Sequence, residues 1–420
     1  MRRNVNKLAT LVMTGALAAS MSFGAFADNA TDKRINDSNN HVTIIKNVTT
    51  DTANKTKAPY TTFTLTVSEG PTTDVQLDTI NGKKTFSVTK PTEAQIAAIQ
   101  DTLVDANFKA AKETNEDGTD NNGYTYNSQT GVYSSQFKLD VPVSIFSAPG
   151  LYSFKLNETN SGYTGVKYDT ADKIMYVSVI NKIVDDKVVY DETTKKPILV
   201  VDSVVLAETD ANGNVTKTQE ITNDFGADNT NNDKTHDITI TKEVTGNAGQ
   251  RDKDFHINVS VNRKSGVSED VASINQEFTL LDSTGAEVTT DGVLNATGAW
   301  KNVPLKSGES LKIQGLTEDY VVSVYEVEAG EAGYTSTYTI TTPTEDGKTS
   351  TTAAATLGNK ADNAASLTAT LDKTVITITN HKDNVTPTGV AMDVAPYALM
   401  VALAGGAAVT FLRKKESFED

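Results

Sequence analysis

Two sets of three residues recur in the same order along the chain: Lys46, Glu158 and Asn223, then Lys242, Glu326 and Asn380. Each set holds an amine, a carboxyl group and a side-chain amide. In an apolar interior the charged forms are disfavoured, so the amine moves toward neutral and the carboxyl toward the acid. A neutral amine is a nucleophile, and a protonated carboxyl can polarise an amide and carry protons. Held together, the three groups would let Lys Nζ attack Asn Cγ. Ammonia would leave and a Lys–Asn isopeptide bond would remain. Holding the groups in place would supply the rate. A lone Lys on a strand is usually solvated, and a lone Asn before a loop is usually a turn residue. The repetition of the whole set sets these six apart.

The surrounding sequence repeats too. His41 and Ile45-Lys46-Asn47-Val48-Thr49 match His236 and Thr241-Lys242-Glu243-Val244-Thr245. Phe63 to Val67 matches Phe255 to Val259, and Gly162-Tyr163-Thr164 matches Gly333-Tyr334-Thr335. Ile221-Thr222-Asn223 matches Ile378-Thr379-Asn380. Each region thus opens on a strand with Lys and closes on a strand with Asn. Each Glu precedes the Gly-Tyr-Thr. Side chains two apart share a face of a strand. Glu158 is in phase with Tyr152, Phe154 and Leu156, and Glu326 with Val322 and Val324, so both glutamates are expected to face a core.

The elements that must position them read as β throughout. Short β-branched runs alternate with turn signals such as Asn81-Gly82, Asp117-Gly118 and Asn212-Gly213. The pattern predicts an all-β chain of two tandem immunoglobulin-like β-sandwich domains, at 41–226 and 236–383. The Asn/Asp-rich stretch 227–235 is the expected linker, and 28–40 the expected mobile arm. Thr92-Glu93-Ala94-Gln95 looks like a capping box opening a helix, with Ile96, Ile99 and Leu103 on one face. It marks 92–108 as a helical insert in the first domain, with no role evident from its residues.

Composition narrows the class. The 420 residues carry a net charge of −16 and no cysteine. A strongly acidic chain is a poor partner for nucleic acid or anionic membranes. With no Cys and only four His, a zinc site is not expected. No catalytic Ser-His-Asp set is visible, and no cofactor is called for.

The termini predict export. Arg2, Arg3 and Lys7 precede the apolar run Leu8 to Phe23, and Ala25-Phe26-Ala27 ends it, as in a signal peptide cleaved between Ala27 and Asp28. At the other end stand Val385, Thr386, Pro387, Thr388 and Gly389. An uncharged run from 394 to 412 follows, then Arg413-Lys414-Lys415. The run is long enough to span a bilayer, and the basic tail favours a cytoplasmic end. Residues 384–420 in this order resemble a Gram-positive cell-wall sorting signal. The resemblance implies cleavage by a sortase between Thr388 and Gly389. Val385 and Thr386 depart from the usual Leu-Pro.

Taken together, the chain resembles the major (shell) pilins of sortase-assembled Gram-positive pili, of the type with internal isopeptide bonds. The likeness spans nearly all of 41–415 and is closer in the second domain. It implies bonds Lys46–Asn223 and Lys242–Asn380, with Glu158 and Glu326 as proton-carrying acids. It further implies a structural subunit on the cell surface, with single-turnover autocatalysis and no other enzyme activity. The partners would be identical subunits joined head to tail, the sortase, tip and base pilins and peptidoglycan, with membrane contact only before sorting. The acceptor amine of the next subunit is expected shortly before the first bonding Asn, at Lys217, with Lys195 and Lys196 as the alternatives. A monomeric wall-anchored surface protein or adhesin would share every feature except that acceptor.

Overall fold

The computed structural model describes residues 34–50, 55–79, 82–116, 118–209, 215–226, 235–288, 299–344, 347–361, 364–368 and 373–384. The expected signal peptide, residues 227–234 of the expected linker 227–235, residues 210–214, the expected sorting motif and the uncharged run 394–412 lie outside the described residues. Among those described, no helix is long and apolar enough to cross a membrane.

Two β-sandwiches follow one another. In the first, one sheet has the order Glu220–Asp224, His41–Thr49, Val132–Asp140, Thr125–Asn127. The facing sheet runs Val215–Thr218, Leu199–Thr209, Lys173–Asn181, Gly150–Glu158, Leu65–Glu69. Strict alternation builds the core between them. In His41–Thr49 every second residue from Val42 is buried, and Lys46 falls in that phase. Val42, Ile44, Phe154, Leu156, Val177 and Leu206 meet there from both sheets.

The second sandwich repeats this plan. Its larger sheet centres on His236–Thr245 and Thr374–His381, flanked by Ser310–Leu316 and Thr335–Pro343. Its partner sheet has the order Ala299–Leu305, Phe255–Arg263, Tyr320–Glu326, Ala365–Thr368. Ile238, Ile240, Val259, Val322, Val324 and Ile376 fill the space between.

Two expectations are corrected. The helix covers only Glu93–Gln100, capped by Thr92 and Gln95 as expected. Beyond it the chain turns at Asp101 and Thr102, and Ala106–Asn107 pairs with Thr62–Phe63 as a strand. Leu103 is therefore past the helix, not on its face. Residues 34–40 are not a mobile arm. Ile35 is buried, its N–H bonds Val204 O at 3.0 Å, and Asn36 bridges Val42. One buried β-branched residue and the hydrogen bonds around it dock this polar stretch, which composition averages hide.

The two sandwiches touch through a segment that follows the lysine strand. Gln276 of the second accepts the N–H of Tyr60 at 2.9 Å and the hydroxyl of Tyr163 at 2.8 Å. Its Nε2 donates to Ala58 O at 3.0 Å. Lys55 N–H donates to Gln314 Oε1 at 2.9 Å. Close packing here also needs Gly165. Its φ is +87°, and a Cβ there would sit 2.8 Å from the Phe225 ring and 2.9 Å from Thr317.

Candidate functional site

The lysine strand and the asparagine strand are parallel neighbours in each domain. In the first, Lys46 stands opposite Ile221 and Val48 opposite Asn223. In the second, Lys242 stands opposite Ile378 and Val244 opposite Asn380. The offset is the same, and period two turns both side chains of each pair inward. The glutamate comes from the facing sheet. Glu158 ends the strand Gly150–Glu158 opposite Leu65, and Glu326 ends Tyr320–Glu326 opposite Ile257.

All six residues expected from the sequence meet as two triples. Lys46 Nζ lies 2.8 Å from Glu158 Oε1, and Asn223 Nδ2 donates to the same oxygen at 3.1 Å. Lys242 Nζ lies 2.9 Å from Glu326 Oε2, and Asn380 Nδ2 donates to Oε1 at 2.5 Å. The side chains are closed to solvent: Lys46 and Lys242 are 0 % exposed, Glu158 1 % and Glu326 0 %.

A ring covers each amine. Lys46 Nζ sits 4.7 Å from the centroid of Phe63, and Lys242 Nζ 4.5 Å from that of Phe255. Both rings were visible as a sequence match, but nothing in the match said they faced the lysines. The ladder explains it. Phe63 is two residues before Leu65 and Phe255 two before Ile257, the residues opposite the two glutamates.

Burial sets the electrostatics. Loss of water lowers Lys46 to about 8, against the opposing pull of the Glu158 carboxylate. Burial raises Glu158, with Lys46 opposing. Burial likewise lowers Lys242, with Glu326 opposing. An amine brought toward neutrality, a carboxyl group and an amide share one buried pocket in each domain, and in the first the carboxyl is brought toward protonation. That is the set of groups an amine needs to displace ammonia from an amide.

The remaining candidates are elsewhere. Lys217 is half-buried on the edge strand Val215–Thr218, opposite Ala207. That rung is near the end of the sandwich that faces the second domain, because Lys173 beside Glu208 pairs with Leu156 just before Glu158. Lys195 and Lys196 are exposed on a projection, 182–198, that leaves the opposite end between Lys173–Asn181 and Leu199–Thr209. Its turn is tight: Asp185 and Asp186 have φ of 48° and 60°, joining Ile183–Val184 to Lys187–Val188. Ile183, Val184 and Tyr190 are exposed there. Val385 to Gly389, Ala27 and Asp28 lie outside the described residues. The last described strand, Thr374–His381, runs parallel to His236–Thr245 and so ends away from the first domain.

The chain is 27 % identical over 391 residues to a curated protein named "Pilin" from Streptococcus pyogenes serotype M1, covering 86 % of this chain and 98 % of that one. The chain resembles a major pilin subunit. Residues 236–382 match a family described as a domain of unknown function, DUF7601. Among solved structures, the major pilin from Streptococcus pyogenes is similar at 19 % identity and a TM-score of 0.45, covering 83 % of this chain and all of that one. The major pilin T3.2 of the same species is similar at 19 % identity and a TM-score of 0.44, covering 84 % and 99 %.

Proposed function

We propose that the chain is the backbone subunit of a covalent pilus on a Gram-positive cell surface, carrying bonds Lys46–Asn223 and Lys242–Asn380. The observation that carries the reading is the pair of buried Lys–Glu–Asn triples, each linking the first strand of a sandwich to the last at one register offset. The pilin relative supports the same reading over most of the chain. In each triple Nζ attacks Cγ, a proton passes through the glutamate to Nδ2, and ammonia leaves.

The bonds suit a fibre. Tension enters a sandwich by one end strand and leaves by the other, and these two strands are the ones joined. Export after cleavage at Ala27–Asp28, and sorting through Val385-Thr386-Pro387-Thr388-Gly389, would deliver Thr388 as acyl donor to a sortase. The acceptor is Lys217 by its place six residues before Asn223. Lys195 and Lys196 form a second reading, favoured by their exposed position at the end opposite His381.

The test is an SDS gel of boiled cell-wall extracts. A high-mass ladder is the expected result. A single band of subunit size would leave a wall-anchored monomer in its place.

A further inference from the structure

Asn223 and Asn380 occupy equivalent places, but their amide oxygens do not. Oδ1 of Asn223 accepts the backbone N–H of Asp169 at 2.8 Å. Oδ1 of Asn380 is buried with no hydrogen-bond partner among the described residues. A backbone N–H can only donate, so the contact fixes which end of the Asn223 amide is oxygen. The other end, Nδ2, then faces Glu158.

The donor is held in place on every side. Asp169 Oδ1 accepts the N–H of Ala171 at 2.8 Å. Its Oδ2 pairs at 2.9 Å with Lys173, a buried amine that also meets Glu208. Two residues back, Lys167 and Asp224 exchange backbone hydrogen bonds of 2.8 and 3.0 Å. This ties the loop to the end of the asparagine strand, one residue past Asn223. The N–H therefore points at Oδ1 before any reaction starts.

We propose that the Asp169 backbone N–H is an oxyanion donor for bond formation in the first domain. The inference rests on the isopeptide reading above. Lys46 Nζ, as the neutral amine, forms a bond to Cγ of Asn223. The carbonyl electron pair moves onto Oδ1, where the Asp169 N–H meets the growing negative charge. Glu158 takes a proton from Nζ and gives one to Nδ2. The C–N bond to Nδ2 breaks, the pair on Oδ1 reforms the carbonyl, and ammonia departs. Lysine amine plus primary amide gives secondary amide plus ammonia, with no other reactant. Glu158 thus serves the amine and the leaving group, and the carbonyl has its own donor. Preorganised donors of this kind act where charge develops and need no rearrangement in the reaction.

The test uses the chain from Asp28 to Thr388, recovered from inclusion bodies before it has folded, dissolved in denaturant and refolded by dilution. Intact mass and tryptic mapping time each bond. Asp169→Ala keeps the N–H but loses the side-chain tethers to Ala171 and Lys173, so its rate is the reference against which loss of the N–H is read. Asp169→Pro deletes the N–H and should slow that bond about 10²–10³-fold, the usual loss for one oxyanion donor. A backbone ester at position 169, in the Asp169→Ala background, removes the same N–H if proline disturbs folding. The Lys242–Asn380 bond serves as the internal clock and should not change. A folded ester variant that closes the first bond as fast as Asp169→Ala overturns the proposal, as does equal slowing of both bonds. Failure of the unaltered chain to form either bond would overturn the isopeptide reading itself, and this proposal with it.

Discussion

Lys46 and Asn223 are not opposite each other on their parallel strands. Asn223 stands across from Val48, two residues farther along. The diagonal keeps both side chains on the inner face and brings both Nζ and Nδ2 to one oxygen of Glu158. A shift of one residue would turn Asn223 to solvent. Lys242 and Asn380 keep the same diagonal around Val244.

The first prediction is a mass. The chain from Asp28 to Thr388 should weigh less than its sequence by two ammonia molecules. Glu158→Ala and Glu326→Ala should each restore one. An intact mass equal to the calculated one would end the isopeptide reading.

The second concerns stability. A bond from Lys242 to Asn380 closes a loop of about 138 residues in the unfolded chain. By analogy with disulfides this is worth roughly 5 kcal/mol. Lys242→Ala should leave the second domain folded, with a much lower melting temperature and faster proteolysis. Calorimetry that shows an unchanged profile would count against that bond.

The third is a pH profile. Burial lowers Lys46 to about 8 and raises Glu158. Between those values the pair holds one proton, which can rest on Glu158 and leave the amine neutral. Below the Glu158 value both groups are protonated and the lysine cannot attack. Above about 8 the last proton leaves, and Glu158 starts as a carboxylate that must first take the Nζ proton before it can give one to Nδ2. Refolding kinetics should show a rate that falls on the acid side as both groups protonate, is level just below pH 8, and falls above about pH 8 by up to tenfold per unit. A rate that climbs through pH 8 would remove Glu158 from the role of acid.

The fourth separates the acceptors. Lys217→Ala should abolish the ladder in cells while the monomer is still exported with both internal bonds. Tryptic peptides of the polymer should contain Lys217 branched to Val385-Thr386-Pro387-Thr388. A branch at Lys195 or Lys196 instead would place the acceptor on the projection 182–198.

The fifth concerns the joint between the sandwiches. Gln276→Ala removes the acceptor of the Tyr60 N–H and the donor to Ala58 O, at about 1–3 kcal/mol for a group left buried and unpaired. Differential scanning calorimetry should show the two domains unfolding further apart in temperature. Coincident transitions identical to the unaltered chain would mean that Gln276 couples nothing.

The triples were legible in the sequence because period two is a strong signal. Glu158 in phase with Phe154 and Leu156, or Lys46 with Ile44 and Val48, can only point inward if the strand is half-buried. The two copies then grouped each Lys with the Glu and Asn of its own region, and the resemblance to pilins implied the pairing. The Asp169 N–H was not legible, because a backbone donor leaves no residue type behind and its position depends on the loop 159–172. The joint escaped for a similar reason. Gln276 and Gln314 look like surface residues until a segment of the other sandwich covers them. The height of Lys217 on its sheet also needed the register, since spacing along the chain does not say on which rung an edge strand starts.

The register of the two end strands has a further consequence for proteolysis. With both bonds in place, residues 47–222 and 243–379 form closed covalent circuits. A protease that cuts once inside either circuit opens the ring but does not part the chain, because the isopeptide bond still joins the two sides of the cut. Severing the fibre between neighbouring subunits then requires a cut in the short stretches outside the circuits, such as 224–241 or 381–388. Loops such as 182–198 could therefore be nicked, or lengthened and varied in sequence, while the thread itself stays whole.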